Sequence, residues 1–153
     1  MVKVIDQSSD SELGYHNSEP DHVGSSKDPI IVFGDHTCRM YLLIEPFSLG
    51  PNTVPFIPNT DVSSYYLYYV LRGLVETHEY KRHWTELCAK RVTLGPLALV
   101  QHFSGHAMLL HSEMVVLSRA QRNLRRIRDL LLPRLISGEL DVSDLDIHGE
   151  RVQ

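Results

Sequence analysis

Cysteines and long apolar runs are scarce in this sequence of 153 residues. Its two cysteines, Cys38 and Cys88, are expected to be free thiols of a reducing cytoplasm, with a disulfide between them as the less favoured alternative. No run of about 18 apolar residues occurs, which excludes a membrane-spanning helix. The N-terminus has no apolar stretch of signal-peptide length. The sequence therefore predicts a cytoplasmic protein without a membrane partner.

Several catalytic signatures are absent as well. The chain has neither a glycine-rich phosphate loop nor a serine nucleophile elbow. Asp35 and His36 form an acid and histidine pair of the kind used in general base catalysis, but no nucleophile or pocket can be assigned beside them. We favour a structural role, in which Asp35 and Thr37 hold a turn through hydrogen bonds to the backbone. The prediction is a protein that is not an enzyme and needs no cofactor.

Histidine, in contrast, is abundant, with nine residues. His102 and His106 lie four positions apart, a spacing that puts two side chains on one helix face, where they can chelate a metal. His111 is five residues further on and turns off that face. No HExxH arrangement and no cysteine pair accompanies them. We therefore interpret them as surface or interface histidines and predict no metal site.

The formal net charge of −4 hides an uneven distribution. Both ends, residues 1–29 and 135–153, are acidic. Residues 101–134, in contrast, carry six arginines against Glu113 and Asp129. A negative net charge argues against nucleic-acid binding, but the basic segment permits a polyanion or an acidic protein as a partner.

Four segments differ in composition. They are predicted to be a disordered leader, a small mixed domain, a long packing helix and an acidic tail, which cover residues 1–28, 29–97, 98–138 and 139–153. The leader is rich in Ser, Asp, Glu, Gly and His. The domain has apolar runs typical of strands and a tyrosine-rich helix, at residues 29–33, 40–44, 92–96 and 65–74. The expected fold class is therefore α/β (α+β), followed by a coiled-coil-like helix.

Apolar residues recur with a heptad spacing in the C-terminal third of the chain. The predicted seam consists of Leu110, Leu117, Leu124, Ile127 and Leu131. A seam of about three heptads favours pairing with another helix, and docking on the chain's own domain is the alternative. Pro133 then predicts the end or a kink of this helix, and Gly138 suits a left-handed cap.

The basic loop, residues 80–84, is the best local signal for nucleic-acid binding. It reads Tyr80, Lys81, Arg82, His83 and Trp84. Lysine and arginine neutralise phosphates, arginine can read guanine in the major groove, and aromatic rings can stack. The alternative is a solvated loop whose tryptophan packs into the core.

Four segments, in this order, resemble conserved regions in the specificity subunits of type I restriction-modification systems. They are IVFGDHT at 31–37, LYYVLR at 67–72, TLGPL at 93–97 and RDLLLPRLISGEL at 128–140. The last resembles the family's C-terminal conserved region, and the first resembles a motif inside its target-recognition domains. The resemblance covers roughly residues 29–147.

The resemblance implies a non-catalytic DNA-specificity component. One half of a split sequence in double-stranded DNA would be read by the globular part, and the helix would dock methyltransferase and restriction subunits. The implied DNA contacts are Tyr80, Lys81, Arg82 and His83 of the basic loop, together with His36 and Arg39, which follow the apolar run at 29–33. The family carries two recognition domains and this chain only one such segment, which implies a half-subunit that dimerises or a piece of a longer or split gene. A truncated adaptor that does not recognise DNA is the alternative.

Overall fold

A computed structural model of the chain describes residues 1–8, 12–77, 79 and 81–140. In this part of the chain the strands and helices are β1 Val2–Ile5, β2 Glu12–His16, β3 His22–Val23, β4 Ile30–Gly34, β5 Met40–Leu43, β6 Pro46–Leu49, β7 Thr53–Phe56, α1 Ser64–Leu71, α2 Trp84–Ala89 and α3 Leu97–Ile136. The predicted mixed α and β fold with a long C-terminal helix is confirmed, and the structure shows that its strands form two small sheets. The chain divides into two compact units, Met1–Ser112 and Glu113–Gln153.

Both sheets belong to the first unit. One has the order β2-β1-β6-β3, in which β1 and β6 are parallel and the other pairs antiparallel. The other has the order β5-β4-β7 and is antiparallel throughout. Strand β4 is central in its sheet, which agrees with the continuous apolar run that predicted a buried strand.

Strand β4 contributes to two apolar clusters because successive side chains of a strand point to opposite faces. Ile31 and Phe33 pack with residues of α1 and α2. Val32 packs on the opposite face with Ile5 and Phe47, which come from β1 and β6. The core of the first unit is therefore continuous through β4, and it joins the two sheets.

The prediction of a disordered leader at residues 1–28 is wrong, because strands β1, β2 and β3 lie there. Ile5 is fully buried, and β1 forms a parallel ladder with β6 some 40 residues later. Strand β1 is paired with a strand on each of its two edges and has one buried apolar side chain. The predicted domain boundary at residue 29 consequently falls inside the folded unit.

The tyrosine-rich segment is a helix, as predicted, and not a strand. It begins after Ser63, whose side chain accepts a hydrogen bond from the Tyr65 N–H and so caps α1. Tyr65 and Tyr68 are buried. The prediction of a strand at 92–96 is wrong, since these residues form no ladder. The prolyl residue of that segment lies one position before α3, where a missing N–H costs little.

Helix α3 begins within the first unit. Val100 and Ala107 are buried there, and Phe103 contacts the rings of Tyr66 and Tyr69 in α1. Both cysteines of the chain are free thiols, as predicted. None of the helices in the described part of the chain combines the length and the apolar character that crossing a lipid bilayer requires.

The second unit is described as far as residue 140 and consists of the rest of α3 and its cap. The helix continues through Pro133 to Ile136, so the proline lies in the last turn and does not itself end the helix. Gly138 adopts a φ of +73°, and its N–H donates to the Leu135 carbonyl. The predicted left-handed cap is confirmed. The predicted acidic tail, 139–153, lies outside the described residues beyond Leu140.

Candidate nucleic-acid interface

The turn between β4 and β5, residues 34–39, is closed by two backbone hydrogen bonds. The Gly34 N–H donates to the Arg39 carbonyl at 2.8 Å, and the Cys38 N–H donates to the Gly34 carbonyl at 2.9 Å. A side chain at Gly34 would meet the Thr37 hydroxyl at 2.7 Å and the Gln7 Cβ at 2.8 Å. The close approach of these groups explains why glycine stands at the start of the turn.

Asp35 is the buried anchor of the candidate site, with 0% exposure. Its Oδ1 accepts hydrogen bonds from the backbone N–H groups of His83 and Trp84 at 2.9 and 2.8 Å. Its Oδ2 accepts the Arg82 Nε–H at 2.7 Å. One carboxylate therefore fixes the basic loop against the 34–39 turn, although the two are separated by more than 40 residues in the sequence.

The protonation of Asp35 follows from these contacts. Burial raises the pKa of its carboxyl group, but the hydrogen bonds and charge of Arg82 and the N–H groups of Trp84 and His83 outweigh it, so the pKa lies below its usual value. The anion is thus the form that the folded chain holds at neutral pH. Because its oxygens already accept three hydrogen bonds, Asp35 serves as an orienting group.

The residues that follow β1 hold the outer side of the same turn. The side-chain oxygen of Gln7 accepts the His36 N–H at 3.0 Å, and the backbone carbonyl of Gln7 accepts the Thr37 hydroxyl at 2.9 Å. The Ser8 carbonyl accepts from Arg39 at 3.0 Å. Sequence reasoning missed Gln7 and Ser8, because they lie in the segment that was predicted to be disordered.

Three of the predicted DNA-contacting residues come together at this site. Arg82 has a 79% exposed side chain, and Lys81 is also exposed and lies 3.6 Å from the Glu79 carboxylate. The Nδ1 of His36 donates to the Lys81 carbonyl at 3.1 Å. Since the guanidinium group is planar, the bond from Nε to the fixed Asp35 orients the terminal nitrogens of Arg82.

The structure gives a different result for each of the other three predicted DNA contacts. Arg39 is exposed and bonded to Ser8, and Tyr80 lies outside the described residues. His83 is only 1% exposed, and its ring is held between the Glu86 carboxylate at 3.3 Å and the Glu79 carbonyl at 3.2 Å. The structure therefore contradicts the prediction that His83 contacts DNA. His83 follows two charged residues in the sequence, Lys81 and Arg82, but its own backbone N–H donates to the buried Asp35. This hydrogen bond holds His83 inside the protein.

The predicted packing seam is exposed. In the first unit Leu110 is exposed, and in the second unit Leu117, Leu124, Ile127 and Leu131 are exposed, with Leu117 and Leu124 at 64% and 66%. Exposed leucines in this number and at this spacing are typical of a surface that another helix covers.

In the parts of the chain that the structure describes, no group of three or more His, Cys, Asp or Glu could hold a metal ion. No protein-family model, curated protein sequence or solved structure matches the chain.

Proposed function

We propose that this chain is a DNA-specificity component of a type I restriction-modification complex. Arg82 and Lys81 would contact double-stranded DNA, and α3 would bind methyltransferase and restriction subunits or a second specificity chain. The observation that carries the proposal is the buried Asp35, which holds an outward-facing arginine in one orientation.

Orientation matters because base readout needs the fork of an arginine aimed at the N7 and O6 of guanine. A free arginine side chain loses considerable rotamer entropy when it is ordered on binding. In this chain Asp35 orders Arg82 before DNA arrives, and it leaves most of the side chain exposed. Lys81 next to it supplies a cation for a phosphate.

The helix supports the part of the proposal that concerns assembly. Leu117 and Leu124 of the second unit are about two-thirds exposed. Burial of a leucine side chain contributes roughly 1.5–3 kcal/mol, so a partner that covers several of them gains a substantial free energy. Arginines off the seam, such as Arg125 and Arg126, can then pair with acids of the partner.

The test is a reconstituted complex of the chain with a methyltransferase subunit, used on a pool of random DNA duplexes. We expect methylation at one defined sequence. Arg82→Ala should relax the preference at one base pair by about 1–3 kcal/mol, roughly fivefold to 150-fold in affinity. Lys81→Ala should weaken binding to all sequences similarly and lower the salt dependence by about one phosphate contact.

Lys90→Ala is the matched control, because Lys90 is also exposed and paired with an acid, Glu86 at 3.3 Å, but lies outside the basic loop. It should leave both affinity and sequence preference unchanged. DNA affinity that is the same for wild type and Arg82→Ala in an intact complex would show that the assignment of this loop is wrong.

A second candidate function is an interaction adaptor that does not recognise DNA. It is favoured by the observation that both exposed cations of the loop already have acidic neighbours, Glu79 for Lys81 and Asp35 for Arg82. These pairs reduce the positive potential that phosphates would meet. Formation of the complex without any sequence preference in the methylated pool would support the adaptor.

A further inference from the structure

Two histidines of α3 lie one helical turn apart in the first unit and are both exposed. The ring centroids of His102 and His106 are 4.7 Å apart, with an angle of 31° between the ring planes. The four-residue spacing brings the two side chains to the same face of the helix. The rings therefore lie side by side and open to solvent.

A hydrogen bond determines the tautomer of one ring. The Nδ1 of His106 lies 2.9 Å from the carbonyl oxygen of His102. A carbonyl oxygen only accepts, so this Nδ1 carries the proton, and in the neutral ring the lone pair is on Nε2. Metal-binding histidines commonly donate their second ring nitrogen to a backbone carbonyl in this way, which orients the ring and raises the basicity of the ligand atom.

The separation of the rings is also suitable for a shared cation. Two imidazoles that bind one ion at about 2.0–2.1 Å, at an angle between a right angle and the tetrahedral value, place their centroids roughly 4.5–5.2 Å apart. The observed 4.7 Å lies in this range. The separation of the rings therefore allows both of them to bind the same ion.

From this geometry, and in contrast to the interpretation from sequence that predicted no metal site, we propose that His102 and His106 form a two-histidine site for a late first-row divalent cation, such as Ni²⁺, Cu²⁺ or Zn²⁺. Imidazole nitrogen is a preferred ligand of these ions, whereas Mg²⁺ and Ca²⁺ prefer oxygen. With two protein ligands, the remaining coordination positions are open to water or to a donor from a bound molecule. The inference does not depend on DNA recognition.

A cavity beside the site indicates from which side a bound molecule would reach the open coordination positions of the ion. His106 also lines an apolar cavity of about 280 Å³, together with Tyr69, Phe103, Ala107 and Leu110. An ion held by the pair would lie at the edge of this cavity. His111, the third histidine of this part of α3, is engaged elsewhere, because its Nε2 is 3.0 Å from the Tyr69 hydroxyl.

The test is titration of the full chain with Ni²⁺ at pH 7.5 by isothermal calorimetry. Nickel is chosen because it does not oxidise the free thiols of Cys38 and Cys88. We expect a tightest site of one ion per chain. His102→Gln and His106→Gln should each weaken that site at least tenfold, since one ligand remains. Glutamine keeps the exposed helix intact, which circular dichroism checks.

The control is His111→Gln, which removes a histidine from the same helix without touching the pair. It should change the affinity of the tightest site less than twofold. The proposal is overturned if neither His102→Gln nor His106→Gln weakens nickel binding, or if His111→Gln weakens it equally. In those cases other groups of the chain bind the nickel, and His102 and His106 do not form a specific site.

Discussion

The two units of the molecule use apolar side chains in opposite ways. In the first unit Phe33 is fully buried between a sheet and the helices α1 and α2, and Phe47 is fully buried between strands of the two sheets. In the second unit, whose described part is helix and cap, Leu117 and Leu124 keep about two-thirds of their surface exposed. The first unit thus buries its large apolar side chains within the chain. In the second unit large apolar side chains stay exposed and are available to a partner.

The difference is visible even within α3. Val100 and Ala107, in the first unit, are buried where the helix meets the aromatic residues of α1. Most of the stability of a helix in a folded protein comes from the packing of its apolar face and not from propensity. None of the residues of the second unit that the structure describes, 113–140, is buried, so this part of the helix has no comparable core.

The largest effect should come from removing a side chain of the first core. Phe33→Ala should lower the free energy of unfolding by about 4 kcal/mol, because it deletes a fully buried ring that packs against Trp84 with centroids 6.0 Å apart. Trp84 is the sole tryptophan, so its fluorescence during denaturation in urea reports on this unit.

The matched substitution in the second unit is Leu124→Ala. At low protein concentration it should change the free energy of unfolding by less than about 0.5 kcal/mol, as for other exposed sites. Unfolding is followed by the helix signal in circular dichroism. A loss above about 1 kcal/mol in the dilute chain would contradict the comparison, because it would mean that Leu124 is already covered.

A smaller effect is expected for the polar anchor of the first unit. Asp35→Ala should cost about 3 kcal/mol, because it leaves the N–H groups of His83 and Trp84 without acceptors and releases Arg82. Asp61→Ala is the control, since Asp61 is an exposed aspartate. Urea denaturation should give a change below about 0.5 kcal/mol for the control. Equal losses for the two variants would contradict the anchoring role.

Features that depend on local chemistry were predictable from the sequence. The apolar run of β4, the Ser63 cap of α1 and the Gly138 cap of α3 each act within a few residues. Strands β1 and β3 were missed because their partner, β6, is far away in the sequence, and β2 was missed with them because it pairs with β1. Composition carries no information on such pairing.

The candidate site shows the same limit. Asp35 was predicted to hold a turn through backbone hydrogen bonds, and it does accept backbone N–H groups, but those of His83 and Trp84 and not of its own turn. The burial of His83 follows from this long-range contact, so no local pattern could reveal it. The predicted proximity of the basic loop to DNA remains a prediction.

The smallest expected effect is a pH dependence of stability that comes from the protonation of His111. This residue lies next to Ser112, where the first unit ends. Burial against Tyr65, Tyr68 and Tyr69 holds the pKa of His111 below its usual 6.5. The unfolded chain then binds the proton more readily than the folded chain. Stability is therefore highest above pH 6.5 and falls as the pH drops through the folded pKa.

The measurement is urea denaturation of wild type and His111→Gln at pH 7.5 and 5.5. Glutamine cannot gain a charge in this range, so the loss of stability on acidification should be smaller in the variant than in wild type. The carboxylate of Asp35 does not contribute to the difference, because its pKa lies below its usual value and outside this range. An identical loss in both proteins would mean that His111 is as easily protonated in the folded chain as in the unfolded one. The packing of α3 on the tyrosines of α1 would then be looser than the contacts of His111 indicate.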